Sequence, residues 1–247
     1  RLVKTIVTSA TYLQSSRVNA SGGRGLGLSD PDNRLLARGA RFRLSAEMVR
    51  DQALFASGLL VERVGGPSVK PYQPPGLWEE IAAAIVPYVQ DHGDDLYRRS
   101  MYTFWKRTVA PPAMMTFDAA GREACVVRAS RTNTPLQALN LLNDVTYVEA
   151  ARALAQRVMR ERSTSDERLV RLFQHVLARQ PQTNELRLLK QSHERHLARY
   201  RADQAAARKL LTVGESKRDE SLDLVEHAAL AAVAGTVLNL DETVTRE

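Results

Sequence analysis

Along this chain apolar positions recur every three or four residues far more often than every two, which is helical spacing. Leu2, Ile6, Ala10 and Leu13 predict a first helix that stops near Ser15 and Ser16. Residues 33–38 predict a short helix. Ser45 predicts the cap of a longer one through residue 60, with Glu47 near the positive end of its dipole. Residues 77–86 predict a helix broken at Pro87. After Asp144 the pattern strengthens. Tyr147, Ala150, Leu154 and Val158 share one face, and Leu169, Leu172, Phe173 and Val176 share another. Pro181 ends that helix, and Thr183 is expected to cap the next, which carries Leu186, Leu189, Leu197 and Tyr200. A last helix is expected over residues 222–238. The predicted class is therefore all-α, mainly helical with long irregular connections, ending in a C-terminal helical bundle. The expected division is residues 1–145 and 146–247, two halves that are free to share one core.

The segments between helices are less regular. Residues 21–30, SGGRGLGLSD, are rich in glycine but lack the Gly-Lys-Ser/Thr ending and the preceding strand of a phosphate loop, so they read as a linker. Residues 98–108, RRSMYTFWKRT, fit neither period. Pro111 and Pro112 then force an irregular connection.

The densest chemistry lies in residues 117–144, FDAAGREACVVRASRTNTPLQALNLLND. Thr134, Pro135 and Gln137 have the spacing of a capping box with proline at the first helical position. Two stripes follow. Leu136, Leu139 and Leu142 form an apolar one, while Gln137, Asn140 and Asp144 share the other. With Asp118, Arg128, Arg131, Asn133 and Asn143, these amides form a candidate ligand-binding wall. The simpler reading is a structural network that bonds neighbouring backbone.

Composition narrows the choices. The formal net charge is +7 with a sequence pI near 9.8, and of 35 basic residues only six are Lys, leaving 29 Arg. The arginines are spread along the chain beside carboxylates and are not interleaved with stacking aromatics, so a nucleic-acid partner is not expected. A single cysteine, Cys125, excludes an internal disulfide, a Cys-rich zinc site and a C-x-x-C-H haem attachment. No apolar run approaches the ~18–20 residues of a membrane span. The chain opens on Arg1 directly in a helical pattern, and the expectation is a fragment of a longer protein.

Two further constellations stand out. His193, Glu194 and His196 resemble half of a metal motif, but the histidines are three apart and Arg195 and Arg199 oppose a cation. No metal site is expected. Arg41, Arg43, Glu47, Arg50 and Asp51 could hold acid–base chemistry, or more simply an ion-pair network that pins the Arg-rich segment.

Four strings occur in a recognisable order: RFRLSAEMVRDQAL, RRSMYTFWKRT, FDAAGREACVVRASRTNTPLQALNLLND and LARQPQTNEL. With the opening VTSATYLQSS and DPDNRLLAR they resemble the C-terminal domain of unknown function of planctomycete cytochrome-c-like proteins, the family numbered 1553. The resemblance implies export to the cell envelope, a haem-bearing domain elsewhere in the longer protein, and no cofactor in this chain. It carries over no catalytic residue. Three functions follow as expectations. The first is a non-catalytic module that packs on upstream domains and binds a partner, a glycan or an anionic ligand. The second is an enzyme site shared with an upstream domain, and the third is a purely structural envelope protein.

Overall fold

The computed structural model describes residues 1–16, 30, 32–36, 38–78, 87–106, 108–121, 125, 127 and 130–246. The described chain is mainly helical. Its helices are α1 (Leu2–Val7), α2 (Ala46–Ser57), α3 (Pro112–Thr116), α4 (Pro135–Asn143), α5 (Val145–Glu161), α6 (Ser165–Leu177), α7 (Thr183–Ala202), α8 (Gln204–Leu211), α9 (Leu224–Leu238) and α10 (Asp241–Val244). Short 3-10 turns cover Gly93–Tyr97 and Ser100–Tyr102. Among the described residues the strands form one antiparallel pair, β1 (Phe42–Arg43) with β2 (Thr245–Arg246), in which Phe42 faces Arg246 and Arg43 faces Thr245. Two compact units result: residues 1–44 with 244–247, and residues 45–243. The division expected near residue 145 falls inside the second unit, between α4 and α5.

The smaller unit departs from the helix predicted over residues 33–38 at the described positions 33–36 and 38; residue 37 lies outside the described residues. Both oxygens of the Asp30 carboxylate accept backbone N–H groups, from Arg34 and Leu35 at 2.8 Å each, and the Asn33 amide donates to the Arg38 carbonyl. These local bonds favour a turn over helix. Asn33 and Leu36 accordingly adopt φ of 52° and 53°. The predicted linker over residues 21–30 lies outside the described residues except for Asp30, and so does most of the helix expected over residues 77–86.

In the larger unit the central element is α9. Its sequence LVEHAALAAVAGTVL is apolar on every side, which suits a helix surrounded by others. Ala228, Ala229, Leu230, Val233, Ala234 and Val237 are fully buried there. Against it lies α5, with Ala150, Leu154, Ala155 and Val158 buried to the same degree. Alanines on both faces allow close approach. A Cβ added at Gly235 would sit 3.9 Å from the Ala151 Cβ, in ordinary contact. Helix α6 adds Leu169, Leu172 and Phe173, and α2 adds Val49, Ala53 and Leu54. The expected C-terminal bundle is thus present, with α2 from the N-terminal part packed on α5 and α6.

Helix ends follow local chemistry. Ser45 caps α2 by accepting the Met48 N–H, and the helix stops at Gly58 in the left-handed region (φ 80°), three residues earlier than its periodicity predicts. A full capping box, Thr164 with Glu167, starts α6. At α7 the cap position is Gln182 rather than Thr183, and the Glu185 carboxylate accepts the Gln182 N–H at 2.6 Å.

Candidate functional site

The helix expected after Thr134 begins where the sequence places it, with Thr134 at the cap position and Pro135 at the first helical residue. The capping box does not form. The Gln137 side chain turns inward, 1% exposed, and donates to Thr132 Oγ1 at 3.3 Å. Thr132 in turn donates from its backbone N (2.6 Å) and its hydroxyl (2.8 Å) to Asp118 Oδ2. Asp118 and Gln137 are therefore brought together through Thr132, a residue outside the candidate set. Asp118 holds φ of 58°, a conformation that an L residue adopts at a cost.

The other members disperse. Asn143 donates to the Leu139 carbonyl one turn back, and Asn133 is exposed. Asn140 Nδ2 is buried without a hydrogen-bond partner among the described residues. Arg131 is exposed and engaged, while Arg128 lies outside the described residues. Cys125 is exposed. Asp144 caps α5 through the Thr146 N–H at 2.9 Å, and its burial holds the carboxyl above the usual range despite that bond. With its polar stripe inward, α4 presents the other stripe to solvent: Leu136, Leu139 and Leu142 are 59%, 57% and 48% exposed.

The second constellation is structural chemistry of a definite kind. Arg50 is buried and donates to the carbonyls of Leu96 (2.7 Å) and Arg98 (2.8 Å) and to Ser100 Oγ (3.2 Å). Asp51 accepts the Ser100 N–H at 2.7 Å and lies 3.9 Å from Arg50. Glu47 stays in the first turn of α2, while Arg41 and Arg43 belong to the smaller unit and each has a partner. Arg98, fully buried, repeats the pattern. It donates to the carbonyls of Pro67, Arg63 and Gly65 and stacks 3.9 Å from the centre of the Tyr102 ring. Guanidinium groups thus satisfy carbonyls of the irregular connections that no helix or sheet supplies with donors. This accounts for part of the arginine excess without any ligand.

The most concentrated polar cluster was not singled out by the sequence reading. It sits where α5 meets the connection between α8 and α9. Glu149, 1% exposed, accepts from Tyr97 Oη at 2.8 Å and from the Ser216 N–H at 2.6 Å. Arg152, 2% exposed, lies 3.5 Å from Glu149 and donates to the Ser216 carbonyl at 2.6 Å and to its hydroxyl. Tyr72 accepts the Glu215 N–H at 2.8 Å, and burial followed by the Glu149 charge pushes its phenol up to about 12. His227 Nε2 meets the Arg152 carbonyl at 3.0 Å, and burial depresses this imidazole to about 4, which keeps it neutral. The signal was present in the sequence: Glu149 and Arg152 interrupt an alanine run, and His227 interrupts an apolar helix. Beside the cluster lies a cleft of about 400 Å³ lined by Ser57, Gly58, Gln156, Arg157, Arg160 and Ser216, among others. Its cations are already matched. Arg157 binds Glu161 and the Ala56 carbonyl at 3.0 Å each, and Arg160 forks onto Asp219 at 2.9 and 2.6 Å.

His193 and His196 do not converge. His193 is buried, with Nδ1 3.2 Å from Ser165 Oγ and Nε2 3.4 Å from Glu226, in ion-pair range but without hydrogen-bond alignment. His196 stacks on Tyr200, and Glu194 points to solvent. Among the described residues no group of three or more His, Cys, Asp or Glu side chains is arranged to hold a metal ion, and no helix is long and apolar enough to cross a membrane.

Fold and site together define a helical module whose identified polar groups mostly bond one another or nearby backbone. The family described as PSD1, protein of unknown function (DUF1553), matches residues 1–193, and the chain belongs to it. That match ends inside α7, before α9, although α9 supplies the centre of the core. No curated protein and no solved structure matches the chain.

Proposed function

We propose that this chain is a non-catalytic docking module of a larger, exported cytochrome-c-like protein, and that it binds a protein partner through α4. The observation that carries the reading is the orientation of that helix. Gln137 is inside beside Leu141, while the other three of its four leucines, Leu136, Leu139 and Leu142, are outside, an exposure that burial alone would not select. Met115 on the neighbouring α3 and Val145 at the start of α5 extend the apolar surface, at 44% and 37% exposed. Several exposed apolar side chains on one helix and its neighbours mark an interaction site more often than scattered single ones do. Covering the three leucines would yield about 3 kcal/mol, taking roughly half the value of complete leucine burial for each. The exported setting and the upstream domains as partner rest on the family resemblance. A glycan is the weaker candidate, since the patch offers leucines where sugar recognition needs planar aromatics and amides.

The test is the triple variant Leu136→Ser, Leu139→Ser, Leu142→Ser, with a photo-crosslinking residue placed at position 139 of the parent protein in its native cell. The triple variant should keep the wild-type melting temperature, and the crosslinker should capture a protein that the variant loses. A variant that unfolds, or a crosslinker that captures nothing, would end the proposal.

A further inference from the structure

Arginines of the larger unit commonly end on a carboxylate or on backbone carbonyls, as Arg50, Arg98, Arg152, Arg157, Arg168 and Arg179 do. Helices α7 and α8 break that habit. Arg187, Arg195, Arg199, Arg201, Arg208 and Lys209 are all exposed and have no carboxylate partner among the described residues. At about 1.5 Å per residue, Arg187 to Arg199 spans roughly 18 Å of helix. Arg195 and Arg199 are one turn apart, an arrangement of like charges that weakens an isolated helix. The acids nearby do not offset this: Asp203 caps α8 through the Ala206 N–H at 2.9 Å, and Glu194 is a single exposed carboxylate. The positive field also reaches inward, since burial and then Arg199 and Arg195 hold the His196 imidazole below its ordinary range.

We propose that this basic face of α7 and α8 is a docking surface for an acidic, amphipathic protein segment. Charge complementarity selects an acidic partner, and the neutral positions select a protein. Leu188 is 55% exposed among the cations, and Ala198 and Ala202 are exposed further along. An amphipathic helix can cover these while its carboxylates meet the arginines. A nucleic acid or an acidic polysaccharide gains nothing from Leu188. The face also lacks exposed aromatics on which bases could stack, since Tyr200 is buried. The proposal is independent of the leucine face of α4, and the surface straddles residue 193, where the family match ends: Arg187 and Leu188 lie before it, and Arg195, Arg199, Arg201, Arg208 and Lys209 after it.

The experiment is fluorescence anisotropy on the full chain, with a labelled helical peptide carrying Glu and Leu at helical spacing. Heparin, duplex DNA and vesicles containing phosphatidylserine serve as competitors. The peptide should bind, and affinity should fall as salt rises. Arg195→Glu with Arg199→Glu should weaken binding about tenfold, the scale of two rim charge pairs reversed. The charge-matched pair Lys4→Glu with Arg34→Glu, on exposed residues of the smaller unit, should leave it unchanged. Should the reversed pair fail to fold, Arg195→Gln with Arg199→Gln replaces it, with a smaller loss expected. No binding, equal losses in both charge-reversed proteins, or displacement of the peptide by heparin, DNA or vesicles at lower concentrations would each overturn the proposal.

Discussion

Gly214 tests the buried cluster most sharply. It has φ of 85°, and a Cβ built on it would overlap the Glu149 carboxyl. In Gly214→Ala the Glu149 side chain must swing away. Tyr97 Oη, the Ser216 N–H and Arg152 then lose this acceptor, the first and last in buried bonds and the Ser216 N–H in a half-buried one. Each buried donor left unmade costs about 1–3 kcal/mol, and the left-handed backbone adds about 1 kcal/mol for alanine. Partial relaxation brings the expected loss to about 4 kcal/mol, or a fall in melting temperature of roughly 12 °C for a protein of this size. Gly76 supplies the internal control. It has the same φ of 85° and nothing within 4 Å of a built Cβ. Gly76→Ala should cost only the backbone term, about 1 kcal/mol. Thermal and urea unfolding of both variants would measure the difference. Equal effects from the two substitutions would show that Glu149 is not held as described.

Three further outcomes are expected. Arg98→Lys keeps a charge but loses the fork onto the 63–67 carbonyls and the Tyr102 stack, so urea unfolding should record a loss of about 2–3 kcal/mol. Glu161 is raised by burial, but hydrogen bonds from Arg171, His175 and Arg157 more than offset this and bring its pKa from 4.5 to about 2. That depressed value contributes stability in full above pH 4.5, lost as pH falls toward 2. Glu161→Gln should therefore be less stable at neutral pH by about 2 kcal/mol, a figure discounted for partial exposure. Its deficit should shrink across that acid window; a deficit independent of pH would refute the assignment. Asp118→Ala should lose about 1 kcal/mol by removing the acceptor of both exposed Thr132 bonds, while Asp118→Gly, which relieves φ of 58°, should lose less.

The helical class, the start of α4, the cap of α2 and the apolar faces of α5 and α6 were set by the sequence itself. Each depends on residues within a turn or two of one another, where spacing and capping chemistry act locally. The all-round apolar composition of residues 224–238 likewise required burial wherever that helix lay. Residues 33–38 show where local reading fails even at short range: side-chain bonds from Asp30 and Asn33 displaced the helix. What only tertiary structure decided is the partner of each polar group. Arg50 meets carbonyls 46 and 48 residues away, and Glu149 meets an N–H 67 residues away. The spacing of residues along α4 identified its two stripes but not which one faces inward. Asp118 and Thr132 supply the inward Gln137 with an acceptor, Leu141 is buried beside it, and Leu136, Leu139 and Leu142 are left to solvent. Burial energy favours leucine inside, but a buried amide with a partner is tolerated, and only the assembled fold places that partner within reach.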